Sequence, residues 1–340
     1  MCTAIHRNIN YCFVLVLEKL ITMAPTETLT NAPAALNDDM RTHCLIESDA
    51  RVVYPLARDV ELLSSKCGLD SHGNLDLRTL NDTILHSTII WKSIGAALLK
   101  LTDKVALKFN SSIDVGHVSM LDHIHAHAPG LPIPHALGMV ASPSRKHLFM
   151  TYFSGDTLEA RWPHLCAEQK RSVRDQLNNV FSALRMLPPP ASSDERVPFG
   201  GGIPARCKDN RRANPRVADR LITDEQQFNV FLTTEKNRTQ NAWITKIRAQ
   251  LREDHKCVMT HGDLHAGNVI VRMCDENVLL VGVVDWETCG WYPEYWEYVK
   301  ALFTMPYKGS LSDWWEYLPP AIGVWPHEYA IDLLITRWHG

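Results

Sequence analysis

One short polar motif runs directly into a pair of apolar segments and limits the arrangements that this chain can adopt. Residues 261–268 read His-Gly-Asp-Leu-His-Ala-Gly-Asn, and the branched residues 269–271 follow without a break. A second branched segment, residues 279–284, begins after a polar turn and ends at Asp285. Branched runs separated by turn residues predict a β-hairpin. A hairpin places the start of one strand beside the end of the other, so we expect Asn268 and Asp285 to lie together on one rim.

The residue types on this rim suit a particular chemistry. Amide and carboxylate oxygens, as in Asn268 and Asp285, are ligands that Mg²⁺ accepts. Asp263 precedes Asn268 by five residues and is a candidate base for a hydroxyl group. Lys108, on a segment with strand character, is a candidate cation for phosphate groups. A metal, a cation and a carboxylate base are the groups that phosphoryl transfer requires.

Length and composition predict a globular protein with two packed lobes. The chain has 340 residues, 45% of them hydrophobic and 21% charged, which exceeds one typical core. A formal net charge of -3 provides no general attraction to nucleic acid or to an anionic membrane. The nine cysteines are scattered and form no Cys-x-x-Cys pair, which argues against a disulfide framework and a cysteine-rich zinc site. We therefore expect a reducing, cytoplasmic location.

The beginning of the chain contains a short apolar run. Residues 12–17 are apolar, and Glu18 ends the run after six residues, whereas a membrane span needs roughly 20. Two explanations stay open: a secretory signal, because His6 and Arg7 precede the run, or a natural start at Met23. The polar residues that follow show no apolar periodicity, so residues 1–48 are predicted to be a flexible leader.

The sequence pattern changes from strands to helices near Gly155. Before it, the pattern predicts four strands and a helix: strands at residues 84–91, 94–99, 105–109 and 148–152, and a helix at residues 118–127. After it, residues 173–184 and 243–251 show helical periodicity. The Pro- and Gly-rich residues 188–216 form a long loop, in which we expect the acceptor pocket. The predicted fold class is α+β, with a small β-rich N-lobe at residues 49–152 and a larger helical C-lobe at 153–340.

Further pieces of sequence share their order with one known family. They are Leu-Pro-Ile-Pro at residues 131–134, Gly-Asp-Thr-Leu at 155–158, Arg-Trp-Pro at 161–163, Leu-Arg-Met-Leu-Pro at 184–188, Val-Asp-Trp-Glu at 284–287 and Gly-Trp-Tyr-Pro-Glu-Tyr-Trp-Glu-Tyr at 290–298. Together with residues 261–268, they strongly resemble the aminoglycoside phosphotransferase-like proteins, notably their fungal branch. The resemblance covers about residues 84–339.

This resemblance implies a bilobal protein-kinase-like fold with ATP bound between a nucleotide-binding N-lobe and a C-lobe that carries the catalytic loop and the acceptor site. Asp263 takes the role of catalytic base toward the acceptor hydroxyl. Asn268 and Asp285 hold Mg²⁺, and Lys108 contacts the α- and β-phosphates. The implied reaction is ATP- and Mg²⁺-dependent transfer of the γ-phosphate to an alcohol group of a small molecule, with neither nucleic acid nor membrane as a partner.

Other residues receive supporting roles from the same resemblance. Residues 150–153 are the hinge whose backbone meets adenine, which makes Met150 and Tyr152 cofactor-binding residues. His261 braces the catalytic loop through hydrogen bonds, and Glu287 assists the metal aspartate or anchors its loop. The choice between ATP and GTP, the identity of the acceptor and the oligomeric state are left open.

The sequence departs from the family pattern at two places. In such folds the helix after the lysine strand carries a Glu that pairs with the Lys, but His117 stands where that Glu is expected. Either Asp114, one turn earlier, replaces it, or the ion pair is absent. A Gly-x-Gly-x-x-Gly loop over the phosphates is also missing, and only Ser93, Ile94 and Gly95 stand in that region.

Several alternative interpretations concern single motifs. The histidines within residues 117–127, and His261 with His265, raise the question of zinc, but no spacing supplies a third ligand. The aromatic residues 291–298 resemble a ligand-binding segment, although such blocks more often belong to the core. Glu294 and Glu297 within that block could face a cationic substrate. A Gly-x-Ser-x-Gly segment is absent, which excludes the serine hydrolase chemistry that depends on it.

Two rival functions follow from the departures. A degenerate kinase fold, which binds nucleotide or a partner with little transfer activity, would explain the missing Lys-pairing Glu. A protein kinase is the other rival, but Trp286 and Glu287 stand where Phe-Gly would follow the metal aspartate, and no Ala-Pro-Glu segment is present.

Overall fold

A computed structural model describes most of the chain. The described residues are 39–64, 77–111, 113–190, 197–209, 216–234, 241–304 and 309–339. Most of the expected leader at residues 1–48 lies outside them, as does the alternative start at Met23. Its last part is described: helix α1 (Met40–His43) is followed by Cys44 and Ile46, which are buried in the same core as Leu99. Cys44 and Ile46 are therefore part of a packed core, and the prediction of a flexible leader is wrong for this part.

Six strands of the described residues form one antiparallel sheet in the N-terminal part. They are β1 (Arg51–Tyr54), β2 (Thr88–Ser93), β3 (Ala96–Lys100), β4 (Val105–Asn110), β5 (Ala136–Ala141) and β6 (Lys146–Thr151). Their order across the sheet is β1-β5-β6-β4-β3-β2. Strands β2, β3, β4 and β6 overlap the four predicted strands. Strands β1 and β5 are not predicted, because their short sequences lack a clear apolar alternation.

Three further helices accompany this sheet. They are α2 (Arg58–Ser64), α3 (Leu77–Leu85) and α4 (Val115–His127). The predicted strand at residues 84–91 is wrong at its start, because Ile84 belongs to α3. Leu80 and Ile84, one helical turn apart, are both fully buried, so packing on the sheet decides for a helix over the local branched pattern. The predicted helix at residues 118–127 is confirmed, with an earlier start.

The C-terminal part is mainly helical. Its helices are α5 (Leu158–Arg161), α6 (Ala167–Arg185), α7 (Glu225–Leu232), α8 (Ala242–Arg248), α9 (Trp296–Phe303) and α10 (Pro326–His339), and its 3₁₀ turns are Trp162–His164, Ala266–Asn268, Trp314–Tyr317 and Pro320–Ile322. Its strands are β7 (Asp156–Thr157), β8 (Lys208–Asp209), β9 (Arg216–Val217), β10 (Cys257–Thr260), β11 (Val269–Cys274), β12 (Asn277–Val283) and β13 (Gly290–Pro293). Both predicted helices are confirmed, as α6 and α8.

The predicted hairpin is present as β11 and β12. Val269 pairs with Val283 at its open end, and Cys274 pairs with Asn277 beside the turn. The turn residue Asp275 has a φ of 54°, a conformation that Asp tolerates better than most residues. Asn268 precedes the first strand and Asp285 follows the second, so the hairpin brings the two side chains to one end of the sheet.

A large apolar core supports the C-terminal part. Trp162, Phe181, Trp286 and Trp291 are almost completely buried in it, and each such burial contributes about 1.5–3 kcal/mol or more to stability. An antiparallel N-terminal sheet followed by a helical C-terminal part confirms the predicted α+β class. Among the described helices, not one combines the length and the apolar character needed to cross a membrane.

Candidate functional site

The motif at residues 261–268 forms a loop between two strands. Strand β10 ends at Thr260, and β11 begins at Val269 immediately after a 3₁₀ turn. Nδ1 of His265 accepts a hydrogen bond from Gly267 N at 3.1 Å and so caps this turn. The loop is therefore held at both ends by strands and in the middle by one of its own side chains.

His261 is completely buried beneath this loop. Because a carbonyl oxygen can only accept, His261 Nε2 donates to Val284 O at 2.9 Å, and Nδ1 accepts from Asp263 N at 3.1 Å. This pattern is that of a neutral imidazole. The ring also packs edge-on against Trp286, with 4.5 Å between centroids. His261 thus connects the backbone of Asp263 to the segment that carries Asp285.

A buried carboxylate from another element anchors the same loop. Glu297, in the first turn of α9, accepts from His261 N at 2.6 Å and from Gly262 N at 3.3 Å. Gly262 has a φ of 80°, and a Cβ there would approach Thr288 O to 3.0 Å, so a side chain at this position would be strained and crowded. The suggestion that Glu297 faces a cationic substrate is wrong, because it is fully buried against backbone amides.

Asn268 and Asp285 flank the open end of the hairpin. Nδ2 of Asn268 donates to Asp263 O at 3.0 Å, and Val284 N donates to Asn268 O at 2.9 Å. The amide nitrogen is engaged in this way, which leaves Oδ1 as the atom suited to a metal. Asp285 has a φ of 65°, an uncommon conformation for a residue other than Gly, and its carboxylate is exposed at the rim. Such strain at a candidate site is typical of functional residues.

Lys108 reaches this rim from the central strand β4 of the N-terminal sheet. Its Nζ lies 2.9 Å from Asp285 Oδ1 and 2.7 Å from Glu287 Oε1. Burial lowers the pKa of the Lys108 ammonium, but the charges of Asp285 and Glu287 outweigh this, and the pKa stays above its ordinary value. Lys108 and the two acids therefore meet beside Val284, whose carbonyl connects this segment to His261 of the loop.

The Glu that pairs with the lysine in related folds is missing from helix α4, and Asp114 does not replace it. Asp285 and Glu287 pair with Lys108 instead. His117 lies in helix α4, and Asp114 is the residue that caps the start of that helix. Asp114 does not pair with Lys108, because its Oδ2 lies 3.2 Å from Nζ of Lys208. Burial raises the pKa of the Asp114 carboxyl. The hydrogen bond from Gly116 N and the charge of Lys208 lower the pKa by more than burial raises it, so it lies below its ordinary value.

The expected hinge lies at the end of β6. Met150 pairs with Ala106 on one side and Ala136 on the other, within the sheet. Tyr152 N donates to Lys104 O at 2.8 Å, and the Tyr152 ring lies 4.9 Å from Lys100 Nζ. The backbone amide of Tyr152 is consequently already used inside the protein.

Asp263 lies under His265 in the loop, only partly accessible. The nearest approach of the two side chains is 3.9 Å, from His265 Nε2 to Asp263 Oδ1. With Nδ1 engaged by Gly267 N, a neutral His265 carries its proton on Nε2, toward Asp263. At 3.9 Å the two groups are close but are separated by more than the length of a hydrogen bond.

Three described histidines of the N-terminal part, His123, His125 and His135, have structural partners. The rings of His125 and His135 are stacked with 3.5 Å between centroids, and His123 Nε2 contacts Pro188 O at 2.8 Å. In the described part of the chain, no three or more His, Cys, Asp or Glu side chains are grouped so that they could hold a metal ion.

Only part of the long loop predicted at residues 188–216 is described. Residues 197–209 lie against strand β13: Gly200 forms a bridge with Trp291, and Lys208 N donates to the Tyr292 hydroxyl at 2.9 Å. Strand β8 is anchored by the buried Asp209, which accepts from Lys300 Nζ at 2.8 Å. The described part of the loop therefore forms part of the site's surroundings.

The structural role of Glu297 and the contacts of Lys208 are not predicted from the sequence. Glu297 carries a recognisable signal, because an acid inside a strongly aromatic block must be paired if the block is buried. Lys208 carries none, since it lies in a long loop without periodicity. A further carboxyl, that of Glu159 in α5, lies against Gly267, and burial raises its pKa.

Comparison with protein families finds one match. The model of the family described as "APH: Phosphotransferase enzyme family" matches residues 117–315, more than half of the chain. A search of curated protein sequences finds no match.

Solved structures with a similar fold are aminoglycoside phosphotransferases. A thermostable mutant of APH(4)-Ia, in ternary complex with AMP-PNP and hygromycin B, has a TM-score of 0.50 and 15% identity, over 82% of this chain and 88% of that chain. The streptomycin–ATP complex of APH(2'')-IIa has a TM-score of 0.47 and 13% identity, over 80% and 89%. APH(3'')-Id from Streptomyces rimosus has a TM-score of 0.45 and 14% identity, over 73% and 91%. At these identities the first of them supports the fold alone.

Proposed function

The chain belongs to the phosphotransferase enzyme family, and from this premise we propose that it transfers the γ-phosphate of ATP, with Mg²⁺, to a hydroxyl group of a small molecule. The observation that carries the proposal is the contact of Lys108 with Asp285 at 2.9 Å. This contact joins the phosphate-binding cation of one lobe to the hairpin end that also holds Asn268 and the loop of Asp263. Reaction by phosphoryl transfer depends on such positioning of charge.

The oxygen atoms at the hairpin end fit Mg²⁺. Asp285 offers an exposed carboxylate, and Asn268 offers its amide oxygen because its nitrogen is engaged by Asp263 O. Hard oxygen donors, with water completing the shell, are the ligands that Mg²⁺ prefers. When bound there, the ion would neutralise charge on the phosphates.

The protein's own groups divide the remaining work. Asp263 accepts the proton of the acceptor hydroxyl at its carboxylate as the hydroxyl oxygen attacks the γ-phosphorus. The bond from this phosphorus to the bridging oxygen breaks, and ADP leaves with that oxygen. Lys108, kept protonated by two neighbouring acids, offsets negative charge on the phosphates. Hydrogen bonds to His261 and Glu297 hold the backbone of the loop, and this backbone positions Asp263.

The adenine base is expected at the end of β6. Because Tyr152 N is committed to Lys104 O, we expect the base to contact the carbonyl of Tyr152 and the amide of Phe153. Met150, which pairs on both sides inside the sheet, contributes its side chain to the base-binding surface, and Tyr152 contributes backbone and ring.

The rival proposal of a degenerate kinase fold loses its main motive. It rested on the missing acid partner for Lys108, and Glu287 together with Asp285 provides that partner within 3 Å. The acids come from a different element than in the expected pattern, but they supply the same charge. Phosphoryl transfer, with Lys108 as the phosphate-binding cation, is therefore better supported than a degenerate kinase fold.

The direct test replaces the base. Asp263→Asn keeps the shape of the side chain but cannot accept the proton, so turnover should fall by at least about 10²-fold. ATP consumption is measured with a panel of hydroxyl compounds that includes hygromycin B, the ligand of the structural neighbour. Asp175→Asn, on the exposed face of α6, serves as the matched control.

The outcomes separate the proposal from its rival. Mg²⁺-dependent stabilisation of the wild-type protein by ATP in thermal unfolding, with acceptor-dependent ATP consumption that Asp263→Asn removes, supports transfer. Stabilisation without consumption for any acceptor would favour the nucleotide-binding rival. An absence of any nucleotide effect on the wild-type protein would contradict both.

A further inference from the structure

The side chain of Lys208 joins the start of helix α4 to the loop that follows Asp285. Its Nζ lies 3.2 Å from Asp114 Oδ2 at the start of helix α4 and donates to Glu287 O at 3.0 Å in the loop after Asp285. Only 12% of the Lys208 side chain is exposed. Most exposed ion pairs contribute little to stability, but this ammonium is largely buried and has two acceptors, one of them a main-chain carbonyl.

The Asp114 end of this contact is well defined. Oδ1 of Asp114 accepts from Gly116 N at 2.9 Å and caps α4, which directs Oδ2 toward Lys208. The backbone beside Lys208 also packs tightly on this end of the helix, because a Cβ on Gly116 would come within 2.7 Å of Gly202 Cα. The start of α4 is thus held by the segment that carries Lys208.

The Lys208 side chain is presented from a rigid support. The next residue, Asp209, is fully buried and accepts from Lys300 Nζ at 2.8 Å and from Arg216 Nη2 at 3.1 Å. Lys208 N is itself bound to the Tyr292 hydroxyl. The backbone of Lys208 is therefore held independently of its two acceptors, and the side chain reaches both of them from a fixed position.

Glu287 has contacts at both ends. Its main-chain oxygen accepts from Lys208, and its Oε1 lies 2.7 Å from Lys108 Nζ. The contacts therefore run from Asp114 to Lys208, from Lys208 to Glu287, and from Glu287 to the nucleotide lysine. Helix α4 reaches Lys108 through two intermediate residues rather than through a carboxylate of its own.

We propose that Lys208 is a positioning residue of the nucleotide site: it couples helix α4 to the loop of Glu287 and so sets the location of Lys108. The inference rests on the proposed function, since Lys108 is taken as the phosphate-binding cation. Lys208 acts through Glu287 and does not need to contact nucleotide or acceptor. Its removal should therefore affect nucleotide binding more than the chemistry at Asp263.

The test compares three substitutions at the contact with a matched control. Lys208→Met removes the charge and keeps the length of the chain, and Lys208→Arg retains the charge. Asp114→Asn removes the ion pair but leaves a good helix cap, and it keeps the test informative if Lys208→Met folds poorly. The control is Lys170→Met, because Lys170 is 13% exposed and pairs with Asp313 at 2.6 Å, away from the site.

Three measurements are made on each variant: binding of Mg²⁺–AMP-PNP by calorimetry, the KM for ATP and kcat, and amide hydrogen exchange in residues 114–121 and 285–289. Lys208→Met should weaken nucleotide binding and raise the KM for ATP by about tenfold, the effect of losing a charge-assisted hydrogen bond. The effect on kcat should be smaller, and exchange should rise in both segments together. Lys208→Arg should restore most of the binding.

Nucleotide binding and KM that Lys208→Met leaves unchanged, or that Lys170→Met weakens equally, would overturn the inference. Faster exchange in only one of the two segments would also overturn it, because the coupling requires both. Wild-type protein that fails to bind Mg²⁺–AMP-PNP would overturn the proposed function and this inference together, and is distinguished from the other outcomes by that measurement alone.

Discussion

Glu287 Oε1 lies 2.7 Å from Lys108 Nζ, so a carboxylate that pairs with Lys108 comes from the loop after the hairpin and not from helix α4. Asp285 contacts the same nitrogen at 2.9 Å, but its proposed role as a metal ligand engages it elsewhere. Glu287 is therefore the acid that can remain on Lys108 throughout the reaction.

Replacement of Glu287 should impair nucleotide binding. In Glu287→Gln the amide cannot balance the charge of Lys108, and loss of a hydrogen bond to a charged group costs about 1.5–3 kcal/mol, so the KM for ATP should rise by about tenfold or more. Steady-state kinetics over a range of ATP concentrations measures this. Glu287→Asp retains the charge on a shorter side chain, so its KM for ATP should lie between the values for wild type and Glu287→Gln. An unchanged KM in Glu287→Gln would show that Asp285 alone suffices for Lys108.

Replacement of Glu297 should affect stability and turnover together. Its carboxylate accepts hydrogen bonds from two backbone amides of the catalytic loop, and an amide group in Glu297→Gln would present a donor to one of them. We expect a loss of about 1–3 kcal/mol in the free energy of unfolding, measured by urea denaturation. We also expect a lower kcat at a temperature at which both the variant and the wild type remain folded. Glu294→Gln is the control, because Glu294 accepts from Lys256 N at 3.2 Å outside the loop and should retain its kcat.

Asn268 should control the requirement for Mg²⁺. Asn268→Ala removes the proposed metal oxygen and the hydrogen bond to Asp263 O, so the Mg²⁺ concentration for half-maximal activity should rise by at least about tenfold. The same titration is followed by thermal unfolding with ATP present, which reports binding without turnover. An identical Mg²⁺ dependence in Asn268→Ala and wild type would exclude Asn268 as a ligand.

His147 should make the N-terminal sheet sensitive to acid. Its ring is fully buried and donates from Nε2 to Cys44 O at 3.0 Å, and burial lowers its pKa from an ordinary 6.5 to about 4. The unfolded chain binds the proton more readily, so this stability is complete above pH 6.5 and is lost as the pH falls toward 4. The loss amounts to at most about 3 kcal/mol.

The comparison for this pH effect uses His147→Gln. Urea denaturation, followed by tryptophan fluorescence between pH 7 and 4, should show a steeper loss of stability in wild type than in the variant. Substitution of the exposed His86 by Gln should leave the wild-type slope intact. Parallel slopes for wild type and His147→Gln would rule out His147 as a source of acid sensitivity.

Local patterns in the sequence determined the parts of the site that are close together in the chain. The branched runs that flank a turn specify the hairpin, and the hairpin alone brings Asn268 beside Asp285. Asp263 is only five residues from Asn268 in the chain, so its location follows from the same short segment. The amphipathic period of α6 likewise predicts this helix from residues within the helix itself.

Tertiary packing decided what these local patterns leave open. Ile84 continues a helix despite its branched neighbours, because one helix face fits the core of the sheet. Lys108 and Asp285 are 177 residues apart, and Lys208 and Asp114 are 94 residues apart. The sequence supplies the charged groups, but which of them meet depends on the packing of both lobes, because an ion pair requires a separation of a few ångströms that no local period encodes.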